Sequence, residues 1–259
     1  EARGGSLNQA TATRAVARQE QGVRPGVFSG GGGITSVFYP VEANVRYFPA
    51  LLPEISDEDP VATLEAGQAP RLSELRLHNG TVYRWNRPIY DLADGRPHLR
   101  VENRVLPAGP TIIDTMANSA FYYGVLRRLA EEDRPIWTQM SFADAEHNFR
   151  ACAQRGMAAK VYWPGFGEVP ADELVLRHLL PMAHEGLKRW GVSTAVSDRY
   201  LGVIEDRCTS GVNGAPWQIA VVQRLEDRGA DRSTALRGML ERYVQARHTN
   251  EPVHTWSLP

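Results

Sequence analysis

The sequence predicts an α+β protein, with an antiparallel sheet in its first half and helices in its second half. Short runs in residues 34–110 alternate apolar and polar side chains between turn residues, as strands do. After Thr111, apolar residues recur every three or four positions, which is typical of amphipathic helices. Because the two patterns are segregated rather than alternating, an α+β arrangement is favoured over α/β.

The first half is expected to contain several strands and short helices before a hairpin. We expect strands at 34–39, 72–77 and 81–85, a helix within 42–52, a helical turn from 57 to 64, and paired strands at 89–92 and 99–105. The pair Asp94-Gly95 predicts the hairpin turn. The glycine run that ends at Gly33 marks residues 1–33 as an arm or flexible segment. No Gly-Lys-Ser/Thr follows it, so a phosphate-binding P-loop is excluded.

The second half is expected to be helical throughout. An apolar stripe from Ile113 to Leu129 predicts its first helix. Ser141 with Asp144 resembles a helix-starting capping box, and Gly156 is suited to end that helix. Further helices are expected at 171–190, 198–208, 216–228 and 232–248.

Composition and charge limit the possible functions. The chain has 259 residues and a net charge of −1, so long-range attraction to nucleic acid or to an acidic membrane is not indicated. No apolar run approaches the roughly 20 residues that a membrane-spanning helix needs. The start lacks the pattern of a secretory signal. Cys152 and Cys208 are therefore interpreted as reduced thiols of a cytoplasmic protein, with a disulfide as the alternative.

Charged side chains occur where a strand would be expected to carry core residues. Alternate residues of a strand share a face, so Arg100, Glu102 and Arg104 point one way while Leu99 and Val101 point the other. A carboxylate between two arginines suits a metal or phosphate site. The alternative is that these charges only neutralise one another on a solvated face.

Three side chains just before this strand are further candidates. Arg87 is kept extended by Pro88, so it could reach a phosphate, or it could be an ordinary surface arginine. His78 could contact a nucleotide, although Asn79-Gly80 beside it also forms a plain turn in which a histidine is structural. The ring of Trp85 could form a substrate wall or pack in the core.

Four stretches of the sequence resemble one enzyme family. They are LHNGTVYRWNRP at 77–88, RVENRVLPAGPT at 100–111, AFYYGVLRRLAEEDRPIWTQMSF at 120–142 and NEPVHTW at 250–256. They are similar to carboxylate–amine ligases of the type 2 glutamate–cysteine ligase family, and the similarity runs from about Arg14 to the C-terminus. The resemblance implies a glutamine-synthetase-like fold and an enzyme that uses ATP and Mg²⁺. It also implies formation of a γ-glutamyl amide, through an acyl phosphate, from glutamate and an amine such as cysteine.

The resemblance also implies roles for the candidate residues, because phosphoryl transfer needs positive groups around the phosphoryl and oxygen ligands for the metal. The expected site has Glu102 as the magnesium ligand, Arg104, Arg100 and Arg87 as catalytic residues, and His78, Trp85 and Arg14 as contacts to ATP or substrate. This chemistry requires no nucleophilic side chain. That fits Cys152, which has no basic neighbour in the sequence to activate it.

The chain resembles only the C-terminal half of the much longer family members. The other half carries further glutamates, and one carboxylate cannot hold magnesium alone. The first residue is Glu1 rather than Met, so the chain is expected to be processed, excised from something longer or incompletely described. We therefore expect one partial ligase domain over residues 1–259, with a sheet edge that associates with the missing half or a second copy. The alternatives are a non-catalytic subunit and a ligase with another amine acceptor.

Overall fold

A computed structural model describes residues 38–82 and 86–259 of the chain. The chain divides into two compact units, Ala2–Pro107 and Ala108–Pro259. Helices dominate, and the described residues contain two small antiparallel sheets of two strands each. The predicted α+β class is confirmed at this level.

The described part of the first unit contains three helices and one hairpin. Its elements are α1 (Phe38–Tyr47), α2 (Pro60–Glu65), α3 (Ser73–Thr81), β1 (Asn86–Ala93) and β2 (Arg96–Asn103). The predicted helical turn at 57–64 is confirmed by α2, which Asp59 caps by accepting hydrogen bonds from the backbone N–H groups of Val61 and Ala62.

Two strand predictions in this unit are wrong. A third, at 81–85, is wrong for Thr81, which ends α3, and residues 83–85 lie outside the described residues. Residues 38 and 39 belong to α1, and residues 34–37 of that predicted strand lie outside the described residues. The segment 72–77 is mostly helix α3. Leucines at 72, 75 and 77 fit a short strand as well as a helix, so the pattern alone did not distinguish them. The carboxylate of Glu58 accepts hydrogen bonds from the backbone N–H groups of Arg71 and Leu72, immediately before the helix.

The hairpin of β1 and β2 confirms the predicted turn and extends the predicted strands. Asp94 and Gly95 connect the strands with φ of 50° and 74°. Positive φ at both central residues matches the right-handed twist of paired strands, and Asp-Gly tolerates it. In the register, Arg87 lies opposite Glu102 and Ile89 lies opposite Arg100.

Helix α3 is attached to β1 by side-chain hydrogen bonds. The Asn79 amide donates to the Pro88 carbonyl at 2.5 Å and accepts from the Asn44 amide at 2.8 Å. The Tyr90 hydroxyl donates to the Pro70 carbonyl at 2.6 Å. These bonds hold the helix and the hairpin together as one structure.

The second unit consists of seven helices, short 3₁₀ turns and one small hairpin within its described length. The elements are α4 (Ile112–Ala130), α5 (Phe142–Arg155), β3 (Lys160–Trp163), β4 (Gly167–Pro170), α6 (Ala171–Leu174), α7 (Leu180–Arg189), α8 (Thr194–Ser210), α9 (Gly214–Asp227) and α10 (Arg232–Thr249). The predicted helices are confirmed, including the Ser141 N-cap and Gly156 C-cap of α5. A π-helical turn, Val175–Leu179, joins α6 to α7. The β3–β4 hairpin was not predicted.

The core of the second unit lies where α4, α7 and α8 pack together around Ala117, Leu187 and Leu201. Gly124 of α4 and Gly186 of α7 meet backbone to backbone, and a Cβ on either would collide with the other helix. A second cluster packs Trp217 against Trp256, whose ring centroids are 5.1 Å apart. The closing segment therefore docks on this unit.

A buried ion pair lies in the same unit. Asp114 is fully buried, and one of its carboxylate oxygens accepts a hydrogen bond from Arg207. The backbone N–H groups of Thr111 and Val253 also donate to Asp114, and Arg207 donates to Asn118 at 2.7 Å. This network links the start of α4, the end of α8 and the closing segment.

None of the helices formed by residues 38–82 and 86–259 combines the length and apolar character that a bilayer crossing requires. Cys152 and Cys208 are both free thiols. This agrees with the sequence interpretation that they do not form a disulfide.

Candidate functional site

The hairpin of the first unit has one charged face. Strand alternation and the register place Arg87, Asp91, Arg100 and Glu102 on the same side, as predicted for Arg100 and Glu102. Leu99 lies on the opposite face and is 61% exposed. The charged face contains two separate clusters, one around Glu102 and one around Asp91.

Glu102 lies between two guanidinium groups. Its Oε2 atom is 2.7 Å from Arg87 Nη2 and 3.0 Å from Arg104 Nε. This oxygen is shielded from solvent, and no N–H group of the described residues points at it with hydrogen-bond geometry. Glu102 is therefore held by electrostatic attraction to the two guanidinium groups, and this oxygen can still accept a hydrogen bond.

Arg87 has a structural role in addition to its contact with Glu102. Its Nη1 donates to the backbone carbonyls of Asn79 and Gly80, at 3.2 and 2.9 Å, in the last turn of α3. A positive group there satisfies carbonyls that the helix leaves unpaired. The side chain is 15% exposed, so Arg87 fastens the charged face of the hairpin to the helix.

Arg100 pairs with Asp91 rather than with Glu102. Its Nη2 is 3.2 Å from Asp91 Oδ2, and its Nη1 is 2.6 Å from His98 Nε2. Arg76 of α3 approaches the other oxygen, with Nη2 at 2.7 Å from Asp91 Oδ1. The Leu92 backbone N–H, followed by Arg100 and Arg76, holds the pKa of the Asp91 carboxyl below its usual value.

A groove of about 410 Å³ lies between α3 and the hairpin. Two predicted site residues, Arg87 and Arg100, line it together with Arg76 and Asp91. Its charged lining therefore carries three guanidinium groups and one carboxylate. The remaining lining is largely apolar and includes Leu72, Leu75, Ile89 and Leu99. Such a groove suits a ligand that has a polar end and an apolar body.

The remaining predicted residues lie elsewhere. His78 does not line the groove, and its Nε2 donates to the Phe48 carbonyl at 2.8 Å. This bond corresponds to the structural role that the sequence left open for it. Trp85 and Arg14 lie outside the described residues. Their predicted contacts with ATP or substrate stay predictions.

Sequence reasoning missed Arg76 and Asp91. Strand alternation from Arg87 through Ile89 would have placed Asp91 on the charged face, so that signal was present. Arg76 could not be found this way, because the segment that contains it is a helix and not a strand. The Arg76–Asp91 contact is tertiary and joins two different elements.

The described residues do not by themselves form a magnesium site. Among residues 38–82 and 86–259, no three His, Cys, Asp or Glu side chains lie together as metal ligands would. Glu102 supplies one carboxylate, whereas Mg²⁺ takes six oxygen ligands in near-octahedral geometry. Further ligands would have to come from nucleotide phosphates, water, another chain or residues outside the described ranges. The arginines of the hairpin suit the anionic groups of ATP better than they suit a metal.

Neither cysteine has the properties of a nucleophile. Desolvation by neighbouring atoms raises the pKa of the Cys152 thiol, although the residue itself is exposed. Burial, together with Asp172, raises the pKa of the Cys208 thiol to about 11. The reactive thiolate is therefore scarce at neutral pH. This agrees with the sequence analysis, in which Cys152 has no basic neighbour that would activate it as a nucleophile.

No protein-family model, curated protein or solved structure matches the chain. The ligase resemblance therefore depends on the quoted motifs.

Proposed function

We propose that the chain provides the C-terminal part of an ATP- and magnesium-dependent carboxylate–amine ligase, similar to glutamate–cysteine ligases. The observation that carries the proposal is the charged face of the hairpin, where motif residues Arg87 and Arg104 flank Glu102 at 2.7 and 3.0 Å. The four motif stretches support the same assignment. A cytoplasmic location is part of the proposal, since both thiols are free.

The proposed reaction joins the γ-carboxylate of glutamate to an amine such as that of cysteine. The γ-phosphoryl group of ATP is transferred to the carboxylate to give an acyl phosphate and ADP. The amine then attacks the acyl carbon, releases phosphate and forms the amide. Catalysis of this kind depends on positioning and on positive charge around the phosphoryl group.

In this scheme Arg104 contacts the phosphoryl group and Arg100 contacts a substrate carboxylate. Arg87 positions Glu102 and also fastens the hairpin to α3. Glu102 is the protein ligand proposed for Mg²⁺, with its other ligands supplied from outside the described residues. His78, Trp85 and Arg14 remain the proposed contacts to ATP or substrate.

The proposal includes association with another chain or with a second copy. The apolar face of the hairpin exposes 61% of Leu99 and 67% of Val101. Within residues 38–82 and 86–259, β2 pairs only with β1. A two-stranded sheet is marginally stable by itself, so further strands or a covering surface would stabilise it.

The test is calorimetric titration of the chain with ATP, with and without Mg²⁺, for the parent protein, Glu102→Gln and Arg104→Gln. We expect Arg104→Gln to weaken both titrations about tenfold, because it removes a charged contact to phosphate. Glu102→Gln should weaken only the titration with Mg²⁺, because a neutral amide is a poor magnesium ligand.

The matched control is Arg46→Gln, which removes an exposed arginine that pairs with Glu42 in the same unit. It should bind ATP like the parent chain. Circular dichroism establishes that each variant is folded. A folded parent chain that binds no ATP at millimolar concentration, with or without Mg²⁺, would contradict the proposal for this chain by itself.

A second candidate function is that of a non-catalytic assembly subunit. It is favoured by the observation that both carboxylates of the charged face already pair within the chain, Glu102 with Arg87 and Arg104, and Asp91 with Arg76 and Arg100. The same titration separates the two functions. A folded chain that binds no nucleotide but associates through the hairpin face supports the assembly subunit.

A further inference from the structure

The groove between α3 and the hairpin presents opposite charges next to an apolar wall. Arg76 and Arg100 lie on either side of Asp91, and the three side chains are 43%, 47% and 26% exposed. All three line the groove and are accessible to a ligand. The apolar wall next to these charges is formed mainly by Leu72, Leu75 and Ile89.

The two guanidinium groups have more donors than Asp91 can use. Each carries five N–H groups, whereas a carboxylate accepts about four hydrogen bonds. One Asp91 oxygen faces Arg76 and the other faces Arg100. The arginines can therefore bind a second carboxylate while Asp91 stays in place, and exposed ion pairs of this kind rearrange at little cost.

We propose that this groove binds an α-amino acid with a large apolar side chain. The ligand carboxylate contacts Arg76 and Arg100, its ammonium group contacts Asp91, and its side chain packs along the leucine and isoleucine wall. The ammonium and carboxylate groups of an α-amino acid are attached to the same carbon, so their opposite charges lie close together. Their spacing matches adjacent groups of opposite charge, such as Asp91 and its two arginines.

Other ligand classes match this groove less well. A polyphosphate would be repelled by Asp91, and a simple carboxylic acid would add a negative charge beside Asp91 without a positive group of its own to offset it. Cysteine and glycine carry both charges, but they would leave most of the apolar wall uncovered. The two arginines, the carboxylate of Asp91 and the apolar wall together select an amino acid of the leucine or phenylalanine type.

As a binding site, the groove does not depend on the ligase reaction. A further step, that the bound amino acid is the amine acceptor of the ligase reaction, rests on the proposed function. The experiment is therefore carried out without ATP and without metal. Its result then tests amino-acid binding even if the chain does not bind nucleotide.

The experiment is calorimetric titration of the full chain with L-leucine, L-leucinamide, N-acetyl-L-leucine, glycine and pyrophosphate. Leucinamide lacks the carboxylate, N-acetyl-leucine lacks the ammonium group and glycine lacks the side chain. We expect leucine to bind tightest and each of the others to bind about tenfold weaker or worse, because each loses one of the three contacts. Equal binding of leucine and leucinamide, or no saturation by leucine, overturns the proposal.

The variants Arg100→Gln and Asp91→Asn locate the site, with Arg46→Gln as the control. We expect both groove variants to weaken leucine binding about tenfold and the control to bind like the parent chain. Pyrophosphate that binds more tightly than leucine, and more tightly still to Asp91→Asn, overturns the proposal in favour of a polyanion site. The ligand series on the parent chain decides the question even if a variant does not fold.

Discussion

Each unit contains a cluster built from arginine and aspartate, yet the two clusters differ in burial. In the helical unit, Asp114 is fully buried, and the Arg207 side chain paired with it is 10% exposed. In the hairpin unit, Asp91 is 26% exposed, and its two arginines are more open still. The same residue types therefore form a fixed structural link in one place and an accessible charged surface in the other. Burial and backbone hydrogen bonds, rather than residue identity, make the difference.

The largest loss of stability is expected from breaking the buried pair between Asp114 and Arg207. Arg207→Met should lower the free energy of unfolding by about 3–5 kcal/mol, because it leaves the Asp114 carboxylate buried without its cation. Arg100→Gln, which breaks the exposed pair, should cost less than about 1 kcal/mol. Urea unfolding followed by circular dichroism measures both. Equal losses in the two variants would contradict the contrast between the clusters.

A smaller effect is expected at the helix crossing that holds α4, the helix that carries Asp114. Gly124→Ala should destabilise the protein by about 1–3 kcal/mol, because its Cβ would overlap the backbone of Ala183 in α7. Gly202→Ala is the matched control, since a Cβ there meets no atom within 4 Å. That change should stabilise α8 by up to about 1 kcal/mol. Thermal unfolding of the two variants should therefore shift in opposite directions.

A modest loss of stability is expected within the hairpin, from loss of the arginine that ties it to α3. Arg87→Gln should cost about 1–2 kcal/mol, because it removes the contact with Glu102 and two hydrogen bonds to α3 carbonyls. Hydrogen exchange should then show faster opening of β1 and α3 and unchanged protection of α8. Uniform loss of protection across both units would show that the hairpin is not a separate cooperative element.

Local signals explain the parts of the fold that the sequence predicts well. Asp94-Gly95 specifies a two-residue turn, and strand alternation then places Arg100 and Glu102 on one face. Ser141 and Gly156 bound α5 for similarly local reasons. These residues act through their own backbone or through near neighbours, so a single sequence is sufficient to interpret them.

Contacts between distant segments explain the failures. Helix α3 includes Asn79 and Gly80, which are poor helix formers, and hydrogen bonds from Asn79 to other segments stabilise it. Arg76 contacts Asp91 from α3, and Arg207 contacts Asp114 from α8, so these two contacts could not be predicted from residue spacing. The β3–β4 hairpin had a local signal, since Val161, Tyr162 and Trp163 favour strands and Gly165 favours a turn, but it was overlooked.

The contact between Gly124 and Gly186 has a consequence for how this protein can change over evolutionary time. A larger residue at either position requires the two helices to move apart, and that displacement would open space along the whole crossing. The second substitution would then cost much less than the first, so the two changes would not be additive. The two positions are therefore expected to vary together, as small residues in both helices or as larger ones in both, despite their separation along the chain.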